Sequence, residues 1–199
     1  MFRHIIGEYM SRTTWTVDPA HTEVGFAVKH LMISTVRGRF GAVKGTVEQD
    51  DANPLASKID VTIDVGSIDT RTDQRDAHLR SPDFFDVANY PTMRFVSKRI
   101  EGDTSDEFVV VGDLTIRKVT REVTLNVTAE GRGPDPWGGK RAGFSAKGRI
   151  SRGAFGLTWN QALETGGVVV GDEVKLSIDV ELVQQAAKPA AEPATAAAV

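Results

Sequence analysis

The chain has 199 residues, 24 Lys and Arg against 27 Asp and Glu, a formal net charge of -3, and no cysteine. That length fits one domain with short ends, and 40 % hydrophobic residues suffice for a sizeable core, which excludes wholesale disorder. The near-balanced charge argues against a nucleic-acid binder, the lack of thiols excludes disulfides, thiolate metal sites and a cysteine nucleophile, and no apolar run reaches the roughly 18 residues of a membrane-spanning helix.

The first residues, MFRHIIGEY, carry one Arg and then only Ile5 and Ile6 before Gly7 and Glu8. A secretory leader needs an apolar region of about 7–15 residues. Residues 1–12 therefore read as a disordered extension, and the expected compartment is the cytoplasm. Translation could start at Met1 or at Met10.

From Thr13 to Val183 the dominant period is two. Val24, Phe26 and Val28 alternate with Glu23, Gly25 and Ala27. Ile59, Val61 and Ile63 alternate with Asp60, Thr62 and Asp64, and Leu176, Ile178 and Val180 with Ser177, Asp179 and Glu181. Such alternation places one face on a core and the other in water, and branched side chains suit the pleat. Nine segments follow: 13–18, 21–29, 34–48, 57–65, 92–101, 107–117, 119–130, 140–151 and 172–183. Turn residues separate them, among them Asp18-Pro19, Asn53-Pro54 and the run from Gly131 to Gly139. A long antiparallel meander must manage its edges, and closing into a barrel removes them. Within 34–48 the apolar parity slips from Val36 and Phe40 to Val43 and Val47, beside Gly38, Gly41 and Gly45. These glycines read as bends in a strand that curves around a barrel.

One stretch breaks the alternation. Residues 70–91, TRTDQRDAHLRSPDFFDVANYP, offer Thr70 and Asp73 as caps, then Ala77 to Arg80, and stop at Ser81-Pro82. This predicts one short helical insert, placed as a lid over one barrel mouth. After it the chain returns to strands until the end, QQAAKPAAEPATAAAV, where Pro189 and Pro193 interrupt an Ala-rich run. Residues 184–199 read as a disordered tail.

No motif assigns catalysis or a cofactor. His21, His30 and His78 show no metal-ligand spacing, and no nucleophile elbow, Walker loop or dinucleotide glycine loop is present. The inward parity is almost purely Val, Ile, Leu and Phe, so the barrel either fills its interior or leaves an apolar cavity. By shared parity Val24, Phe26, Ile63, Phe95, Leu125, Phe144 and Ile178 line it. Arginines gather near the insert and in one early strand: Arg37, Arg39, Arg71, Arg75 and Arg80. Their forked donors match phosphate or carboxylate, and surface ion pairing is the competing use.

Six stretches, in order, resemble the YceI-like family of lipid- and polyisoprenoid-binding proteins. They are WTVDPAHTEVGFAVKHL (15–31), STVRGRF (34–40), HLRSPDFFDVANYPTMRF (78–95), LTIRKVTREVTL (114–125), ISRGAFGLTWN (150–160) and VGDEVKLSIDVEL (170–182). The resemblance covers Trp15 to Val183 and leaves out both ends. It implies an all-β fold: a lipocalin-like, extended eight-stranded antiparallel barrel over 13–183 with one short helical insert. The nine segments become eight if 13–18 and 21–29 are one bent strand. It further implies a non-enzymatic protein that holds a long apolar lipid, an isoprenoid quinone or polyprenyl phosphate, for storage or transport, with no metal, cofactor or nucleic acid. The alternative is a lipid-chain isomerase or cyclase in the same kind of barrel, which would need an inward titratable pair. Phe84 and Phe85 are expected to close over the ligand. Parity turns Arg37 and Arg39 outward, which leaves Arg71 or Arg80 as the expected head-group contact. Phe155 and Trp159 are open between a packing corner and ligand contact. The oligomeric state is open too, a dimer included.

Overall fold

The computed structural model describes residues 12–162 and 168–186. Along the chain come β1 (Arg12–Val17), β2 (Glu23–His30), β3 (Ser34–Phe40), β4 (Val43–Asp50), β5 (Lys58–Asp64) and β6 (Ile68–Asp69). The helix α1 (Asp73–Arg80) follows, then β7 (Thr92–Gly102), β8 (Glu107–Ile116), β9 (Val119–Pro134), β10 (Lys140–Ser151) and β11 (Val170–Gln184). Apart from Arg12 and residues 184–186, the expected disordered ends lie outside the described residues.

Strands β1, β4, β5, β7, β8, β9, β10 and β11 form a closed antiparallel ring, because β1 pairs with β4 on one side and β11 on the other. Beyond that ring β11 continues beside β2, β2 beside β3, and β3 beside β6. β1 and β2 lie one after the other along β11, with Val17 opposite Leu182 and Val24 opposite Ile178. They are one bent strand, as are β3 with β4 and β5 with β6. The barrel thus has eight long strands, and segments 13–18 and 21–29 merge as the eight-stranded reading requires.

The alternating residues explain which side faces in, and irregularities in pairing explain where the alternation changes. Between β3 and β4 the inward parity passes from Phe40 to Val43 at Gly41-Ala42. In β7 a register shift between Ser97 and Arg99 moves it from Met93 and Phe95 to Ile100. In β9 a shift beside Gly143 and Phe144 leaves Glu130 unpaired: Ala129 opposes Phe144, while Gly131 and Arg132 oppose Gly143 and Ala142. Bulges of this kind let long strands coil around a barrel. Two inward glycines make room for rings. A Cβ at Gly38 would lie 2.4 Å from Phe26 Cζ, and one at Gly112 would lie 2.5 Å from Phe95 Cζ.

The insert closes the end of the barrel where β6 stops short of β7. Acidic Asp73 and Asp76 sit in the first turn of α1 and His78 and Arg80 in the last, which suits the helix dipole. The helix is too short to stand alone and is held by tertiary bonds. Buried Asp76 accepts the Thr70 N–H at 2.9 Å and the Thr70 hydroxyl. Arg75 donates to the Thr70 carbonyl at 2.6 Å, and Arg80 to the carbonyls of Gly66 at 3.0 Å and Ile68 at 2.6 Å. From the β8–β9 turn, Arg117 donates to the Phe84 carbonyl at 3.2 Å.

Candidate functional site

Two apolar chambers lie along the barrel axis. The outer one, ≈ 190 Å³, is walled by Trp15, Val47, Ile59, Phe108, Val127 and Phe144 among others. The inner one, ≈ 150 Å³, lies under the insert and is walled by Phe26, Phe40, Phe84, Phe85, Leu114 and Leu176 among others. Val24, Ile63, Phe95, Leu125 and Ile178 border both, so they form a waist between them. Five of the residues expected to line the cavity are therefore the ones that border both chambers. Of the others, Phe26, Phe84 and Phe85 border the inner chamber and Phe144 the outer one.

The two ends differ. At the inner end Phe85 meets Phe40 edge to face, ring centroids 5.8 Å apart, and Phe84 joins His78 and Trp159 in one aromatic cluster. Trp159 borders neither chamber, and Phe155 is fully buried in the core, so both serve the packing corner. With its rings and the Phe84 carbonyl engaged in this way, the insert covers the inner end of the barrel, Phe84 and Phe85 bordering the inner chamber. At the outer end Gln49, Ser57, Thr104 and Arg132 give the chamber a polar rim.

Two of the arginines do not reach the chambers as the sequence pattern led one to expect. Arg80 spends its guanidinium on two main-chain carbonyls, and Arg71 is exposed; neither borders a chamber. The head-group role expected of Arg71 or Arg80 therefore has no geometric basis. Arg37 and Arg39 point outward as parity required, and Arg39 pairs with Glu23 and Asp69. Two arginines that the alternation did not single out border the chambers instead. Arg152, buried, donates to the carbonyls of Gly171 at 2.9 Å, Trp159 at 2.8 Å, Val170 at 3.2 Å and Leu157. Burial lowers its pKa, and Asp172 nearby opposes that shift. Arg132 stands at the outer rim, turned inward by the bulge at Glu130. Strand period alone conceals that bulge, although Gly131 marks the place.

A further charged cluster lies outside the chambers. Arg141 bonds Asp18 at 2.7 Å, Asp135 at 3.1 Å and Glu181. Hydrogen bonds from His21 and then Arg141 hold the Asp18 carboxyl at about 2, and the three carboxylates push the Arg141 pKa up. Asp18, His21 and Glu181 are close enough to hold a cation, but the Arg141 guanidinium already lies among them.

Among the described residues, no carboxylate and no histidine borders either chamber; Arg132 and Arg152 are the ionisable groups that do. A closed antiparallel barrel with an enclosed apolar interior, one plugged end and one polar rim is a ligand-enclosing barrel of the lipocalin-like kind. More narrowly, the chain belongs to the YceI-like family, whose domain profile matches residues 15–182.

The chain is similar to Protein YceI of Escherichia coli O6:H1, 44 % identical over 165 residues that cover 83 % of each chain. Among solved structures it is similar to BcnA of Burkholderia cenocepacia, with a TM-score of 0.71 and 27 % identity over 83 % of this chain and 98 % of that one. The Campylobacter jejuni YCEI protein gives 0.67 and 33 % over 79 % and 90 %. A polyisoprenoid binding domain from Saccharophagus degradans shares the fold, with a TM-score of 0.59 at 15 % identity over 84 % of this chain and 97 % of that one. No helix among the described residues is long and apolar enough to cross a membrane.

Proposed function

We propose that the protein binds a long apolar lipid of the polyisoprenoid class, an isoprenoid quinone or a polyprenyl phosphate, and stores or transports it without chemical change. One observation carries this reading: two consecutive chambers with apolar walls, joined at the waist of Val24, Ile63, Phe95, Leu125 and Ile178. A narrow, elongated apolar space suits a chain that is long and thin, and burial of such a chain is favourable at about 25 cal/mol per Å². The Saccharophagus degradans domain of the same fold is a polyisoprenoid binding domain, which supports the ligand class.

The chamber walls weigh against an isomerase or cyclase. Moving a proton on a lipid chain calls for a titratable pair facing it. The two ionisable groups at hand are arginines, and Arg152 is committed to carbonyls. The proposal places the protein in the cytoplasm, which fractionation of the source cells tests directly. For the ligand the test is native mass spectrometry of protein purified from its own host, followed by lipid extraction. A co-purifying polyisoprenoid is expected. Folded protein that carries no lipid and takes up neither a quinone nor a polyprenyl phosphate would overturn the proposal.

A further inference from the structure

Outside the polar rim lies a cleft of ≈ 630 Å³, walled by Thr13, Asp51, Lys140, Arg141 and Gln184 and by three residues that also border the outer chamber: Trp15, Gln49 and Arg132. These three are the partition between an apolar chamber and a polar cleft. An amphiphile whose tail fills the chambers would leave its head in this cleft. Of the three cations there, Arg141 is neutralised by Asp18, Asp135 and Glu181. Arg132 and Lys140 pair with no carboxylate among the described residues. The cleft's own carboxylate, Asp51, accepts hydrogen bonds from the Thr13 hydroxyl at 2.8 Å and the Gln49 amide at 3.1 Å.

Arg132 is also held in a particular attitude. Its guanidinium carbon lies 5.6 Å from the Trp15 ring centre and 6.0 Å from that of Phe144, and one nitrogen donates to the Gln49 side-chain oxygen at 3.1 Å. Stacked on two rings at the mouth, the guanidinium keeps further N–H groups for an acceptor. Below it the Trp15 indole N–H is buried and has no acceptor among the described residues. A buried donor without a partner costs free energy, and a ligand oxygen at this joint would recover it.

We propose that this cleft is the head-group site, that it takes a phosphate-class anion on Arg132 and Lys140, and that the lipid enters tail first toward the plugged end. This rests on the lipid-binding reading and adds which end holds the head and what charge it carries. The assay compares a polyprenyl phosphate with the polyprenyl alcohol of the same chain length, using full-length wild type and the Arg132→Gln, Lys140→Gln double variant. Both positions are exposed, so the variant should fold. Wild type is expected to prefer the phosphate, increasingly so at low salt. The variant is expected to lose about tenfold per charge-assisted contact for the phosphate and to lose far less for the alcohol. Equal wild-type affinity for the two lipids, or equal loss of both in the variant, would overturn the proposal while leaving lipid binding intact. Uptake of neither lipid would overturn the lipid-binding reading instead. Inorganic phosphate alone binding as well as the lipid would assign the cleft to a soluble anion and also overturn the inference.

Discussion

Ile178 is the residue at which the lipid-path argument is most exposed to test. It lies midway along β11, opposite Ala146 of β10 and Val24 of β2, and its side chain borders both chambers. The perturbation is Ile178→Glu. Burying a methylene-sized group contributes about 0.8 kcal/mol, so one five-carbon isoprene unit contributes about 4 kcal/mol. A carboxylate at the waist leaves the tail two courses. It can strip water from the charge, at several kcal/mol, or it can halt in the outer chamber and forfeit whatever the inner chamber would bury. With even one unit beyond the waist, either course costs about 4 kcal/mol, about a thousandfold in affinity.

The assay is displacement of a fluorescent polyene lipid, cross-checked by native mass spectrometry, at pH about 9 and about 5, since burial raises a carboxyl's pKa into that range. Charge blocks binding at the higher pH, and the neutral acid restores part of it at the lower one. Ile178→Gln, polar but uncharged, should fall between and show no such pH dependence. A folded Ile178→Glu protein that keeps wild-type affinity at the higher pH would show that the waist is not on the ligand's path.

Three further outcomes are expected. Amides of α1 and of the Phe84–Val87 stretch should resist hydrogen exchange equally with and without lipid if the bonds from Arg75, Arg80 and Arg117 hold the insert closed; selective protection on lipid binding would show that it opens as a lid. The Asp18 carboxyl, held at about 2 against an ordinary 3.8, contributes stability that is complete above its unfolded value and is lost as the pH falls from about 4 toward 2. Arg141→Gln removes part of what depresses it, so acid unfolding should begin at higher pH, and an unmoved midpoint in an acid titration followed by circular dichroism would refute that assignment. Arg152→Met leaves the carbonyls of Leu157, Trp159, Val170 and Gly171 without their donor, and urea unfolding should show a loss of about 3 kcal/mol or more, whereas a loss under about 1 would mean that water replaces the guanidinium.

Much of the barrel was legible because a half-buried strand must alternate. Leu176, Ile178, Val180 and Leu182 could face only one way, and the helix stops at Arg80, just before the Ser81-Pro82 that was read as its end. The merging of β1 with β2 was not legible from period two, since it depends on which part of β11 each one meets. Nor was the outer rim. A bulge inserts one residue and reverses the inward parity for the rest of the strand. Beyond Glu130, counting by twos from Val127 would predict that Arg132 faces solvent, yet it opposes the buried Ala142 and borders the outer chamber.

The same contrast explains why a cluster of arginines in the sequence misdirects the search for an anion site. Main-chain carbonyls in a regular sheet are already paired in the ladder, whereas an irregular insert strands its carbonyls away from any neighbouring strand. A buried carbonyl needs a donor, and the five N–H groups of arginine can serve several at once. Arg75, Arg80, Arg117 and Arg152 all sit where the chain leaves the barrel wall, and each donates to carbonyls there. Their abundance near the insert therefore reflects the irregular backbone beside them and not a charged ligand. Arg132 stands just past the β9 bulge at Glu130, yet among the described residues no main-chain carbonyl accepts from it; its described contacts are one amide oxygen and two aromatic rings. An arginine is free for a ligand where no main-chain carbonyl claims its donors, and Arg132 at the rim opposite the insert meets that condition.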